Sequence, residues 1–106
     1  MIDSPKEFFN QLIQSKLEKN KDKIRELSCT YKFVVTGDNG GVWRIHCNDE
    51  PSVEKGEGDA DCTITISDKN FIKMVNGKLN PQMAFMMRKL KVEGEMALAL
   101  KLGSFL

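Results

Sequence analysis

The sequence contains one histidine, one tryptophan, one tyrosine and three prolines in 106 residues. It has no Gly-rich phosphate fingerprint, and no apolar run approaches the roughly 18–20 residues a membrane span requires. Each absence removes a class of chemistry. His46 adjoins Cys47, and successive strand residues face opposite ways, so the two do not make a nucleophile–base pair. Cys62 could approach His46 from a neighbouring strand, but no third orienting group is in view. The three cysteines, Cys29, Cys47 and Cys62, are odd in number and lack C-x-x-C spacing. Without an amino-terminal apolar run they predict a reduced, cytoplasmic setting rather than a secreted one. No Cys, His or carboxylate cluster has metal-ligand spacing, and Asp59 and Asp61 in their Gly-containing turn lack the EF-hand pattern. Gly37–Gly41 holds neither the dinucleotide nor the P-loop signature, so no cofactor is expected. Sixteen Lys and Arg against fifteen Asp and Glu give a net charge of +1, which does not point to nucleic acid. The length suits one domain over residues 1–106.

Charge and apolar content are instead distributed unevenly. From Asp49 to Asp68 seven acids stand against Lys55 alone; from Lys69 onward seven bases face only Glu93 and Glu95. This makes a weak dipole, either a solvated surface or a mild attraction to anionic head groups. The block Pro81–Leu106 is rich in large apolar side chains, among them Met83, Phe85, Met86, Met87 and Met96. A surface helix needs only an apolar stripe toward the core. A segment apolar on most sides is either packed core or the wall of a cavity that something else fills, and methionine adapts to both.

Periodicity gives the elements. Ser4-Pro5-Lys6-Glu7 has the capping-box form with proline at the first helical position, and Phe8, Phe9, Leu12, Ile13 and Leu17 follow on one face. This predicts a helix over 5–19, a break at Asn20 and a second helix over 21–28. Tyr31, Phe33 and Val35 alternate with Lys32, Val34 and Thr36, Thr36–Gly41 turns the chain, and Trp43, Ile45 and Cys47 alternate again, which makes a hairpin. Ser52–Gly56 reads as a polar edge strand and Cys62–Ser67 as a clear strand. A helix capped by Asp68 and ended by Gly77, a short helix from Pro81 to about Arg88, and a strand over Leu90–Val92 stopped by Gly94 come next. Glu95–Leu102 alternates like a strand but is built from strong helix formers and is assigned to helix. The order is that of an α+β domain, with helices over one face of a twisted sheet.

The segment Asp61–Asp68 with Phe71, the run Gly77-Lys78-Leu79-Asn80-Pro81-Gln82 with Ala84-Phe85, then Lys89-Leu90-Lys91-Val92, Gly94 and Leu98–Leu102 resembles the sterol carrier protein 2 domain. The resemblance spans nearly the whole chain and is strongest after Gly58. It implies a five-stranded, mainly antiparallel mixed sheet with one parallel crossover, and helices on one face enclosing a hydrophobic tunnel. It further implies a non-enzymatic lipid-binding or lipid-transfer protein whose ligand is a fatty acid, fatty acyl-CoA, phospholipid or sterol. The apolar block then becomes the tunnel wall, with Met74, Met83, Phe85, Met86, Met87, Met96, Leu98, Leu102 and Phe105 as lipid-binding residues. Arg88, Lys89 and Lys101 would rim its mouth near the head group. Phe8, Phe33, Ile45, Ile64 and Ile66 are expected in the core instead. The chain ends in Ser104-Phe105-Leu106 rather than a peroxisomal serine-lysine-leucine tripeptide, which keeps the expected location cytoplasmic. A monomer is expected, with transient contact at a membrane surface. The alternative is a module that dimerises, or docks on a lipid-metabolising enzyme, through the same apolar surface.

Overall fold

In the computed structural model, which describes residues 2–102, Ser4 caps the first helix, its Oγ accepting the Glu7 N–H at 3.3 Å, while Glu7 Oε2 accepts the Asp3 N–H at 3.2 Å rather than that of Ser4. Helix α1 (Pro5–Glu7) passes through one π-helical turn (Phe8–Leu12) into α2 (Ile13–Lys19). The wide turn lets Phe8, Phe9 and Ile13 all face inward, none more than 2% exposed. The break falls at Asn20, whose side-chain amide donates to the Lys16 carbonyl at 2.9 Å, and α3 (Lys21–Leu27) follows.

Strands β1 (Cys29–Thr36), β2 (Gly41–Cys47), β3 (Ser52–Lys55), β4 (Cys62–Ser67) and β5 (Leu90–Gly94) form one open sheet in the order β3-β2-β1-β4-β5. The β1–β4 pair is parallel and the other three pairs are antiparallel. Period-two alternation puts Tyr31, Phe33, Trp43, Ile45, Ile64 and Ile66 on the buried face. The other face is polar and crossed by ion pairs, Arg44 to Glu54 at 2.6 Å and Lys32 to Glu57 at 3.3 Å. Hence the five residues expected in the core are there, each at 2% exposure or less.

The cap of α4 (Asp68–Val75) is a correction. Ser67, not Asp68, is the N-cap, its hydroxyl accepting the Asn70 N–H at 3.2 Å. Asp68 instead accepts the Asn39 N–H at 3.1 Å and ties the β1–β2 turn to the helix. That contact explains Gly37: at φ +104° a side chain is strained, and its Cβ would lie 2.5 Å from the Asp68 carboxylate. The strand ladder has already set β4 when α4 begins, so the last strand residue is the one free to cap.

Two helices end in the same motif with different residues. After α4, the Lys78 N–H returns to the Lys73 carbonyl at 2.8 Å, with Gly77 at φ +78°. After α5 (Pro81–Met86), the Lys89 N–H returns to the Ala84 carbonyl at 2.8 Å, and the left-handed residue is Arg88 at φ +61°. Both are Schellman caps, which favour glycine. Helix α6 (Met96–Leu102) closes the described chain as a helix, as its composition predicts.

Candidate functional site

The helical layer is unevenly closed. Beneath α1, α2 and α4 the interior is filled by rings: Phe9 stacks on Trp43 at 4.6 Å and on Phe71 at 5.4 Å, and Phe8 meets Phe71 edge-on at 5.3 Å. Around β5 the buried side chains are Leu90 and Ala84, with Val92 partly buried. Helix α5 packs on β5, and α6 packs on β4 and β5, yet most of their large side chains stay outside. Met83 is 53% exposed, Phe85 41%, Met86 77%, Met87 53%, Met96 43% and Leu100 60%.

Local structure accounts for this. Asn80 caps α5 by accepting the Gln82 and Met83 N–H groups, and the Schellman cap closes its far end, so the helix forms without a broad core contact. Its one buried side chain is Ala84. In α6, Leu98 and Ala99 pack against the core while Met96 and Leu100 face outward. The methionine-rich block is therefore not filled core. It is an apolar surface on two helices that pack on β5, of the kind that marks interaction sites.

The expected lipid-binding residues divide between several places. Met83, Phe85, Met86 and Met87 gather on α5 and its cap, and Met96 and Leu98 lie on α6. Met74 sits apart from them as a buried residue of α4. Leu102 ends α6, but its side chain, like all of Phe105, lies outside the described residues. Arg88 and Lys89 follow α5 directly and Lys101 lies in the last turn of α6, all three exposed.

Beneath α6 lies a feature that sequence reasoning did not assign. The fully buried Tyr31 hydroxyl donates to the Leu98 carbonyl at 2.6 Å and tethers the helix to the sheet. A tyrosine at an inward strand position needs a partner for its hydroxyl, a signal that says a partner exists but not which one. Around it the strands bring the three thiols together: Cys29 is opposite Cys47, and Tyr31 is beside Cys62. Burial pushes all three thiols up, Cys47 to about 12, with Cys29 adding to the effect there. The Tyr31 hydroxyl is raised by the same desolvation. These groups are protonated at neutral pH and form an apolar floor rather than a set of nucleophiles.

His46 is on the opposite face, 3.2 Å from Thr30 Oγ1 and 3.3 Å from Glu54 Oε2. The sheet thus separates it from all three thiols, and the Cys–His pairing considered from sequence does not assemble. Among the described residues no group of three or more His, Cys, Asp or Glu could hold a metal ion.

Comparison with known proteins gives consistent matches. The family model described as the SCP-2 sterol transfer family matches residues 9–106. Hydroxysteroid dehydrogenase-like protein 2 of Xenopus laevis is 41% identical over 90 residues, covering 82% of this chain and 22% of that protein. The chain thus spans about a fifth of the curated relatives it matches. The solution structure of the sterol carrier protein domain 2 of Helicoverpa armigera superposes with a TM-score of 0.76 at 33% identity, covering 92% of this chain and 81% of that one. The Aedes aegypti sterol carrier protein-2 in complex with palmitate superposes with a TM-score of 0.74 at 25% identity, covering 93% and 90%.

Proposed function

The chain belongs to the SCP-2 sterol transfer family, and from that premise we propose that it is a non-enzymatic carrier of a single long-chain lipid, held between α5, α6 and the sheet. The observation that carries this reading is the set of large apolar side chains left uncovered on α5 and α6, the two helices that pack on β5. Met83, Phe85 and Met87 of α5 and its cap, with Met96 and Leu98 of α6, are the side chains that would close on an acyl chain. The Tyr31 and thiol floor would stay dry beneath it.

Burial supplies the main favourable contribution to affinity. About ten methylenes removed from water contribute roughly 8 kcal/mol, which corresponds to micromolar binding before the costs of ordering. No reactive residue is needed. The palmitate-bound mosquito relative supports a fatty acid as ligand, and a cation at the mouth, Lys101 in α6, would favour a carboxylate or phosphate over a neutral sterol.

Native mass spectrometry of freshly purified protein, followed by lipid extraction, tests the reading. Bound fatty acid, or displacement of a fluorescent fatty acid by added palmitate, is the expected result. Finding neither would refute it, and displacement by sterol alone would overturn the fatty-acid assignment.

One finding favours a second reading. The matching segment of the Xenopus laevis relative is a fifth of a dehydrogenase-like protein, so the same surface could seat against an enzyme. Light scattering separates the two: a concentration-independent monomer that retains lipid supports the carrier.

A further inference from the structure

We propose that Met83, Met86, Met87 and Met96 form an oxidant-sensitive modification site, at which hydrogen peroxide converts exposed thioethers to sulfoxides and so releases a bound lipid. The release rests on the carrier reading. The selectivity of the site rests on exposure alone.

Burial divides the sulfur atoms of this chain into two groups. Of the described methionines Met74 is buried, whereas Met96, Met83, Met87 and Met86 are exposed, in rising order from 43% to 77%. Cys29, Cys47 and Cys62 are all buried beneath α6. Burial also holds those thiols protonated, and the thiolate is the form that oxidants attack. Among the described residues, every sulfur open to an aqueous oxidant therefore lies on α5, its cap or α6. Met83, Met86 and Met87 stand three and four residues apart and are neighbours on one helix surface. Met96 begins α6, and both helices pack on β5. Folding does not ask for methionine at these positions. Leucine has much the same helix propensity, and Leu98 and Leu100 occupy α6 beside Met96. What methionine adds is an oxidisable thioether.

In the reaction a sulfur lone pair attacks one peroxide oxygen. The S–O bond forms as the O–O bond breaks, and the departing hydroxide takes the proton of the transferred oxygen to become water. Sulfur is oxidised by two electrons and peroxide is reduced by two. The sulfoxide is polar where the thioether was apolar. Closed over an acyl chain, its oxygen loses water and gains no donor. Each sulfoxide at Met83, Met87 or Met96, the three that close on the chain, should weaken fatty-acid affinity about tenfold. Met86, the outermost, should oxidise fastest and matter least. Methionine sulfoxide reductases reverse the change, which makes the site a switch rather than a lesion.

The test is site-resolved peptide mass spectrometry of the full chain treated with hydrogen peroxide, once delipidated and once loaded with palmitate. Met86 should oxidise first, then Met83, Met87 and Met96, with Met74 and the three thiols last. Palmitate should slow Met83, Met87 and Met96 but not Met86. Affinity for a fluorescent fatty acid should fall about tenfold or more on oxidation with Tm unchanged, and return after treatment with the reductases. The combined variant Met83→Leu, Met87→Leu and Met96→Leu keeps apolar volume without the thioethers. Whatever its starting affinity, peroxide should leave that value unaltered. Met74 oxidised as fast as Met86, or thiols consumed first, would overturn the site. Affinity that survives oxidation, falls only through unfolding, or falls equally in the leucine variant would overturn the release. Untreated protein that binds no fatty acid would instead refute the carrier reading, and the order of oxidation would still decide the site.

Discussion

Replacing Tyr31 with phenylalanine tests how α6 is held. The substitution keeps the ring, which is fully buried, and removes only the hydroxyl that donates to the Leu98 carbonyl at 2.6 Å. A protein hydrogen bond of this kind contributes about 0.5–1.5 kcal/mol net. The carbonyl left behind still lies in a helix, so the expected loss is about 1 kcal/mol, lowering Tm by about 4–8 °C for a domain near this size. The rest of the tether is modest: Leu98 and Ala99 packing on the core, and the Glu95 N–H to the Asp61 carbonyl at 3.3 Å. If lipid leaves through local opening of α6, a 1 kcal/mol loss raises the open population, and the dissociation rate of a fluorescent fatty acid, about fivefold. Urea denaturation and stopped-flow displacement measure the two quantities. Ile24→Val is the control, a buried position of α3 packed on β2, where the cost should be about 0.5–1.5 kcal/mol with the dissociation rate unchanged. The reasoning fails if Tyr31→Phe is as stable as wild type, or if both variants accelerate release equally.

Two more outcomes follow from burial. Cys47 is raised from its ordinary 9.0 to about 12, so the folded state keeps a proton that the unfolded chain loses. Its contribution is intact below pH 9 and declines as pH rises from 9 towards 12; urea midpoints across that range should fall less steeply for Cys47→Ala than for wild type. Phe33→Ala, at a fully buried position, should cost about 3–5 kcal/mol, whereas Met86→Ala, at 77% exposure, should stay within about 0.5 kcal/mol. Calorimetry showing equal losses would mean that the α5 surface is packed after all.

The elements and the sheet face could be read from residue order, because each depends on neighbours within a turn or a strand. Ser4 with Pro5 starts a helix, Asn20 breaks it, and Tyr31-x-Phe33-x-Val35 selects one face, wherever those segments end up. Likewise the lipid-binding family was legible from short runs such as Gly77–Gln82 and Lys89–Val92. The cap of α4 was not, because Ser67 and Asp68 both qualify locally and the choice depends on Asn39, 29 residues away, engaging Asp68.

What only the tertiary structure decided is which apolar residues have nothing to cover them. Composition placed Met74 and Met86 in one set, since both are methionines in or near the same block. Packing buries the first in α4 and leaves the second largely exposed at the end of α5, because Ala84 is the only side chain α5 commits to the core. Tyr31 and Leu98 are 67 residues apart, and the three cysteines lie on three strands; only the register of β1 with β2 and β4 brings the thiols and the α6 tether to one floor. The even overall charge likewise concealed which ions meet: Glu54 finds Arg44 of β2 and Glu57 finds Lys32 of β1, contacts that strand order creates. Propensity and alternation act through adjacent residues and are written along the chain, whereas exposure, tethering and ion pairing are properties of groups that meet only when the sheet forms.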